Sequence, residues 1–329
     1  MANTLFNSSL EVSRWRNELY TQAKKDTYFS RFFGGANSII HVKDDLKAAK
    51  GKDITFGLKM KIEGDGVTGD NTLAGNEVAI DTYSQTITLD QLRQGIMSTG
   101  KMHNKKVLID FRSEALDSLK VWFAETMEQD MVDVLSASAT RSLTFDASAS
   151  AGSQYVTTKP TMAAGDVITT AGISRLAAMA KLGDSTHGKM RPVRVGGKDY
   201  YVLVLHPEAA HELKMDSTFM AAQQYAMPRG SDNPLFSGAL GAWDGVVIHE
   251  HDMVKKYATG VNHCGNLFLG AQAGCAAFGG DHAWHEELVD RGNKLSVSAS
   301  IIYEFAKTTF NSADFACITY WTSTTNLTS

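Results

Sequence analysis

His249-x-His251 would place two imidazoles on one side of a strand, and His282-x-x-His285 followed by Glu286 has ligand spacing compatible with a helix. His263 and Cys264 lie between the two pairs. Together they define one reading of the chain, a cytoplasmic metal-dependent enzyme working through the cluster from His249 to His285. The spacing nevertheless matches neither HExxH nor a paired CxxC, and Cys264 and Cys275 are wrongly separated for a zinc knuckle. These side chains therefore read as structural or surface histidines.

A second group of chemistry-bearing residues is acidic. Asp65, Asp70 and Glu77 stand among glycines between residues 63 and 77 and invite a calcium reading. An EF-hand loop needs oxygen ligands at alternate positions and a closing glutamate, and this stretch does not supply them in register. Gly64-x-Gly66-x-x-Gly69 formally matches a dinucleotide fingerprint, but another alternating strand follows it rather than a helix N-terminus. Walker A and Gly-x-Ser-x-Gly motifs are missing from the sequence. The sequence thus assigns no catalytic, cofactor-binding or metal residue, and no cofactor.

The elements around that tip carry more information. Ile54, Phe56, Leu58, Met60 and Ile62 alternate with Asp53, Thr55, Lys59, Lys61 and Glu63, the period of a half-buried strand. Tyr83, Ile87 and Leu89 alternate with Thr82, Ser84, Thr86 and Thr88 on a second limb. The tip between them is too long for a tight hairpin turn. Two strands alone are marginal in water, so their apolar face needs a further surface, which a neighbouring copy could supply.

Downstream, Leu108, Phe111, Ala115, Leu119, Trp122, Met127, Met131 and Leu135 predict one helix over 104–136, roughly 50 Å long at 1.5 Å per residue. Ser136–Thr140 and Asp146–Gly152 are small and polar and read as a loop-rich passage before a second domain. Ile173–Leu182 reads as a helix stopped by Gly183, Tyr200–Leu205 as a buried strand, and Pro207 as the opening of a helix through Met215. Gly245–His249 reads as a strand after the turn-rich stretch Asn233–Gly241. Leu295, Val297, Ala299, Ile301, Tyr303 and Phe305 predict a long strand with one buried face. Ahead of all these, Ser8-x-x-Glu11 reads as a capping box, with Leu10, Trp15 and Leu19 giving a narrow helical stripe that ends at Gly34-Gly35.

Bulk properties narrow the class. With 43% hydrophobic and 21% charged residues, the 329-residue chain is that of a globular protein with a sizeable core. No apolar run approaches the roughly 20 residues of a membrane span, and the first residues lack a signal peptide's basic and apolar regions. Three cysteines make no disulfide framework, which fits a reducing cytoplasm. A net charge of −4 argues against strong nucleic-acid binding. The group Lys101, Lys105 and Lys106 is short and reads as a solvated helix start.

The order of these elements resembles the major capsid protein of tailed bacteriophages, the Hong Kong 97-type fold, and more closely the podovirus coat-protein family typified by the N-four phage. The residues carrying the resemblance are Gly51-x-Asp53-Ile54-x-Phe56, Gly66-Val67-x-Gly69-Asp70 and Leu73-x-Gly75-Asn76-Glu77. Asn233-Pro234-Leu235-Phe236-x-Gly238-x-Leu240-Gly241, Gly245-Val246-Val247-Ile248 and Leu269-Gly270-Ala271-Gln272-Ala273 continue it, from about residue 30 to 310. The resemblance implies an α+β protein with an N-terminal arm at 1–45, an E-loop hairpin at 46–100, and the spine helix with the start of the peripheral domain at 101–160. A mainly axial domain at 161–294 and a return strand of the peripheral domain with the C-terminus at 295–329 complete it.

The function it implies is a non-enzymatic coat protein that self-assembles into hexamers and pentamers of an icosahedral shell enclosing double-stranded phage DNA. Its partners would be further copies of itself, portal and scaffolding proteins and, optionally, a decoration protein, with no membrane. Assembly would take place in the bacterial cytoplasm. A tail or decoration component with a similar hairpin is a third reading.

Overall fold

The structure, a computed structural model, describes residues 27–44, 51–59, 66–77, 82–106, 110–149, 154–156, 162–184, 187–225, 239–258, 260–280 and 283–325. The expected helix near Ser8–Leu19, the strand residues Met60 and Ile62, Gly64 and Asp65 of the tip, the turn segment 233–238 and His282 lie outside these residues.

In chain order the principal strands are β1 (Ile40–Lys43), β2 (Asp53–Lys59), β3 (Thr82–Thr88), β4 (Asp90–Met97), β5 (Ser142–Phe145) and β6 (Lys198–Leu205). They continue with β7 (Val246–Glu250), β8 (His263–Leu269), β9 (Gly274–Phe278), β10 (Ala283–Val289), β11 (Lys294–Lys307) and β12 (Cys317–Ser323). The helices are α1 (Lys101–Lys106), α2 (Phe111–Ser136), α3 (Thr170–Leu182), α4 (Pro207–Met215) and α5 (Ser217–Tyr225). Among the described residues no helix is long and apolar enough to cross a membrane.

A first, six-stranded sheet is centred on β11, whose 14 residues pair with β4, β9 and β10, all antiparallel. The odd-numbered residues Val297, Ala299, Ile301, Tyr303 and Phe305 are buried, as their alternation predicts. They meet a helix stripe formed by Ala115, Leu119, Phe123, Met127, Met131 and Leu135, all spaced by four. Phe123, not the expected Trp122, fills the core position, because Trp122 falls one residue off that row and is only partly buried.

The long helix also starts later than 104. Asp110 is extended and its carboxylate accepts the Ser113 N–H at 3.3 Å, so Asp110 caps α2 and separates it from α1. The single helix expected over 104–136 is therefore two, because a good N-cap residue interrupts a continuous apolar pattern.

A second, mixed sheet has nine strands: seven run in the order Ala239–Trp243, β7, β6, β8, β12, β5, Tyr155–Val156, while Val193–Val195 pairs with β6 and Lys256–Tyr257 with β8. Its centre is buried on both faces: Tyr201 to Leu205, Val246 to His249 and Cys264 to Leu269 are all inaccessible. That explains why β6 reads as a continuous apolar run rather than an alternating one. Helix α3 lies close on β12: a Cβ at Gly172 would sit 2.1 Å from the Tyr320 hydroxyl, so only glycine fits there. Gly183, with φ of 72°, ends α3 as expected.

One buried apolar cluster runs through both sheets, α2 and the short 3-10 helix Tyr28–Phe32. At the junction Lys307, the last residue of β11, is buried. Its ammonium donates to the carbonyls of Ala137 (2.5 Å) and Ser138 (3.2 Å) just beyond α2 and pairs with buried Asp314 at 2.7 Å.

Candidate functional site

Among the described residues, the histidines of the alternative, metal-dependent reading do not gather into one site. His249 and His251 do share one side, as their spacing predicts, but that side is filled by the aromatic rings of Tyr28, Phe29 and Phe32. His251 Nδ1 accepts the Met253 N–H at 3.3 Å, which leaves Nε2 to donate to the buried Glu128 carboxylate on α2. His263 stacks on Tyr257 at 5.4 Å and donates from Nδ1 to the Val261 carbonyl. His285 is exposed on β10, in the other sheet, so the helix spacing expected for His285 and Glu286 falls on a strand instead. Glu286 is taken by Arg112 at 2.8 Å and by the Trp284 indole N–H at 3.0 Å.

Sequence reading missed a different trio, His206, Glu208 and Cys264, whose donor atoms lie within 4.8 Å of one another. The one sequence signal was Pro207, which sets the start of α4 between His206 and Glu208. This trio is internally satisfied. His206 Nδ1 accepts the Glu208 N–H at 3.2 Å as the cap of α4. The Glu208 carboxylate holds the Lys256 ammonium at 2.6 Å and the Thr324 hydroxyl at 3.1 Å. Burial pushes the Cys264 thiol up to about 11, away from its reactive thiolate form, and pushes His206 downward, which keeps its imidazole neutral. Lys256 supplies the positive charge that a metal ion would bring.

A groove of about 270 Å³ between α2 and β11 collects Asp90, Asp130, Asp133, Tyr303 and Glu304. Tyr303 donates to Asp130 at 2.5 Å, and its phenol is held protonated by burial first and by Asp130 second. Asp133 pairs with Lys255 at 3.0 Å. The groove offers hydrogen-bonded acids without an activated nucleophile.

The hairpin β2–β3 has a divided character. Ile54 pairs with Ile87 across the two strands, and Ile54, Phe56, Ile87 and Leu89 are buried. The surface beneath them belongs to the same chain: Cys275, Ala277, Ile302 and Ala306. Gln85 fastens the base further, donating to the Lys307 carbonyl at 2.8 Å and accepting the Thr309 N–H at 3.0 Å. A neighbouring copy is thus not needed to cover the base, contrary to one expectation raised by the alternation.

Beyond the base, residues 66–77 are exposed apart from half-buried Val67, and Leu73 keeps 60% of its surface in solvent. Local bonds shape this tip, including Asn76 N to the Leu73 carbonyl (2.9 Å) and Gly75 N to the Glu77 carboxylate (2.7 Å). Among the described residues its carboxylates join no three-ligand group. A fastened base and an exposed tip suit a projecting contact element better than a reaction site.

Comparison with known proteins agrees. A family model described as phage capsid protein matches residues 3–320. The major capsid protein of Pseudomonas phage KPP25 is 31% identical over 357 residues, spanning 92% of this chain and 93% of the relative. The capsid of Ralstonia phage GP4 superposes with a TM-score of 0.80 at 25% identity over 92% of each chain. The Cyanophage Pam1 capsid, at 21% identity, shares the fold with a TM-score of 0.75 over 98% of this chain and 94% of its own. The architecture is that of the Hong Kong 97-type capsid fold. With its family matched almost end to end, this chain belongs to the phage capsid protein family and is a phage major capsid protein.

Proposed function

We propose that this chain self-assembles into hexamers and pentamers of an icosahedral shell that encloses double-stranded phage DNA, in the cytoplasm of the host bacterium. The observation that carries this reading is the projecting tip at 66–77, exposed on a hairpin whose base is fastened to its own sheet. Each subunit would contribute several modest contacts, and closed symmetry would make their sum large.

In this reading residues 53–90 are the E-loop that reaches across an adjacent subunit. Residues 1–45 are the N-terminal arm, and α2 is the spine helix. The peripheral domain gathers around the β11 sheet, and the axial domain around the nine-stranded sheet. Sheet membership favours placing β9 and β10 with the peripheral domain, which moves that boundary upstream of 294 to about residue 270, and placing β5 and β12 with the axial one. Portal and scaffolding proteins, and optionally a decoration protein, would complete the particle. The polypeptide works by assembly and not by catalysis, with its titratable clusters serving as internal polar pins.

Electron microscopy of the purified, concentrated protein tests the reading. Shells, sheets or capsomer rings are the expected result. A small, monodisperse particle carrying stoichiometric metal would overturn it in favour of the metalloenzyme alternative.

A further inference from the structure

The stretch from Gly188 to Asp199 departs from the charge balance of the chain. It holds four cations, Lys189, Arg191, Arg194 and Lys198, against the single carboxylate of Asp199, a net +3 in a chain of net −4. All four are exposed. Strand Val193–Val195 turns back onto β6 with Arg194 opposite Asp199 and Val195 opposite Lys198. The turn is Gly196-Gly197, at φ of 56° and 78°, a left-handed pair that leaves the tip without side chains and open to close approach by another backbone.

Beside this hairpin lies a groove of about 320 Å³ lined by Asn37, Arg191, Pro192 and Arg194. The Arg191 guanidinium donates to Asn37 Oδ1 at 3.1 Å and to Gln272 Oε1 at 3.5 Å. Those partners are neutral amides, so they orient the guanidinium and leave its charge and remaining N–H donors for another acceptor. Arg194 spends only Nε on Asp199, at 2.9 Å, and keeps both Nη groups. The backbone beneath is fixed by the Ala271 N–H to Arg191 carbonyl bond at 2.7 Å and the Gln272 N–H to Ser38 carbonyl bond at 2.8 Å.

We infer that this groove and hairpin hold the phosphate backbone of double-stranded nucleic acid without reading its sequence. The inference rests on the proposed shell, which brings the protein against packaged duplex. Two guanidinium forks lining one groove match phosphate oxygens, and the flanking lysines add point charges. Phosphate contacts of this kind position a duplex without carrying sequence information. Four cations give a modest, salt-sensitive grip, with log K falling against log salt at a slope of about −3 to −4. The acidic hairpin tip of a second copy is the competing occupant. It offers Asp70 and Glu77 among its described residues, and Glu77 already accepts the Gly75 N–H.

The test measures fluorescence anisotropy of a labelled, mixed-sequence duplex oligonucleotide with the full chain, below its assembly concentration, across a salt series. R191Q/R194Q is expected to weaken binding at least tenfold and to flatten the salt slope by about 2. Its thermal melt and shell formation should be unchanged. K189Q/K198Q, which alters only exposed lysines, should weaken binding to a smaller degree. Wild-type binding that is undetectable at low salt, or unaffected by both variants, overturns the inference. So does loss of shells in a folded R191Q/R194Q protein, which would make the patch a contact between subunits. Failure of the wild type to form shells overturns the proposed function instead, while the anisotropy measurement still reports on the phosphate site.

Discussion

Lys307 shows how one charged side chain can fix three elements at a point. Its ammonium satisfies two carbonyls just past the C-terminus of α2, where positive charge is favoured, and it neutralises Asp314 in the interior. Removing one partner of such a pair leaves the other charge buried, so K307A should lower unfolding free energy by about 3–5 kcal/mol in a denaturant titration. Glu304 is the opposite case. Burial first, then Asp130 and Asp90, raise its pKa, so the folded protein binds that proton more tightly than the unfolded chain does. The associated stability is complete below the unfolded carboxylate pKa and is lost as pH rises through the raised folded value. E304Q should therefore melt higher than the wild type at neutral pH, and the gap should close on acidification. Residue roles were the least legible part of the sequence. The shared side of His249 and His251 followed from spacing, but nothing local announced Glu128, which lies 123 positions away, or the aromatic rings of Tyr28 and Phe29.

Elements were read more faithfully where one physical signal dominated. The alternation in β2, β3 and β11 gave each strand its buried face, and Pro207 and Gly183 marked a helix start and a helix stop. The long helix was misjudged at its beginning because an apolar stripe says nothing of a cap, and Asp110 restarts the helix inside that stripe. Partners of an element were also hidden. The alternation demanded a surface under the hairpin, yet the residues supplying it, Cys275 to Ala306, lie some 200 positions downstream. Packing between α3 and β12 gives a direct check on such distant contacts. G172A inserts a methyl 2.1 Å from the Tyr320 hydroxyl, and overpacking should cost about 1–3 kcal/mol, read as a lower thermal midpoint. The basic stretch at 188–199 was legible in composition alone. Its four cations were overlooked because the net charge of the chain is negative and they are spaced rather than consecutive.

For the whole molecule, the order of elements carried more than any single motif: an extended hairpin, a long helix and a mixed remainder ending in long strands. The two sheets share a core and are pinned at Lys307, so the subunit is held together without its hairpin tip. Assembly and folding should then separate cleanly, and deleting residues 67–76 tests this most directly. The account predicts a protein with a near-wild-type thermal midpoint and far-ultraviolet circular dichroism that no longer forms shells in electron micrographs. A deletion variant that still builds complete shells, or one that unfolds along with its tip, would contradict it.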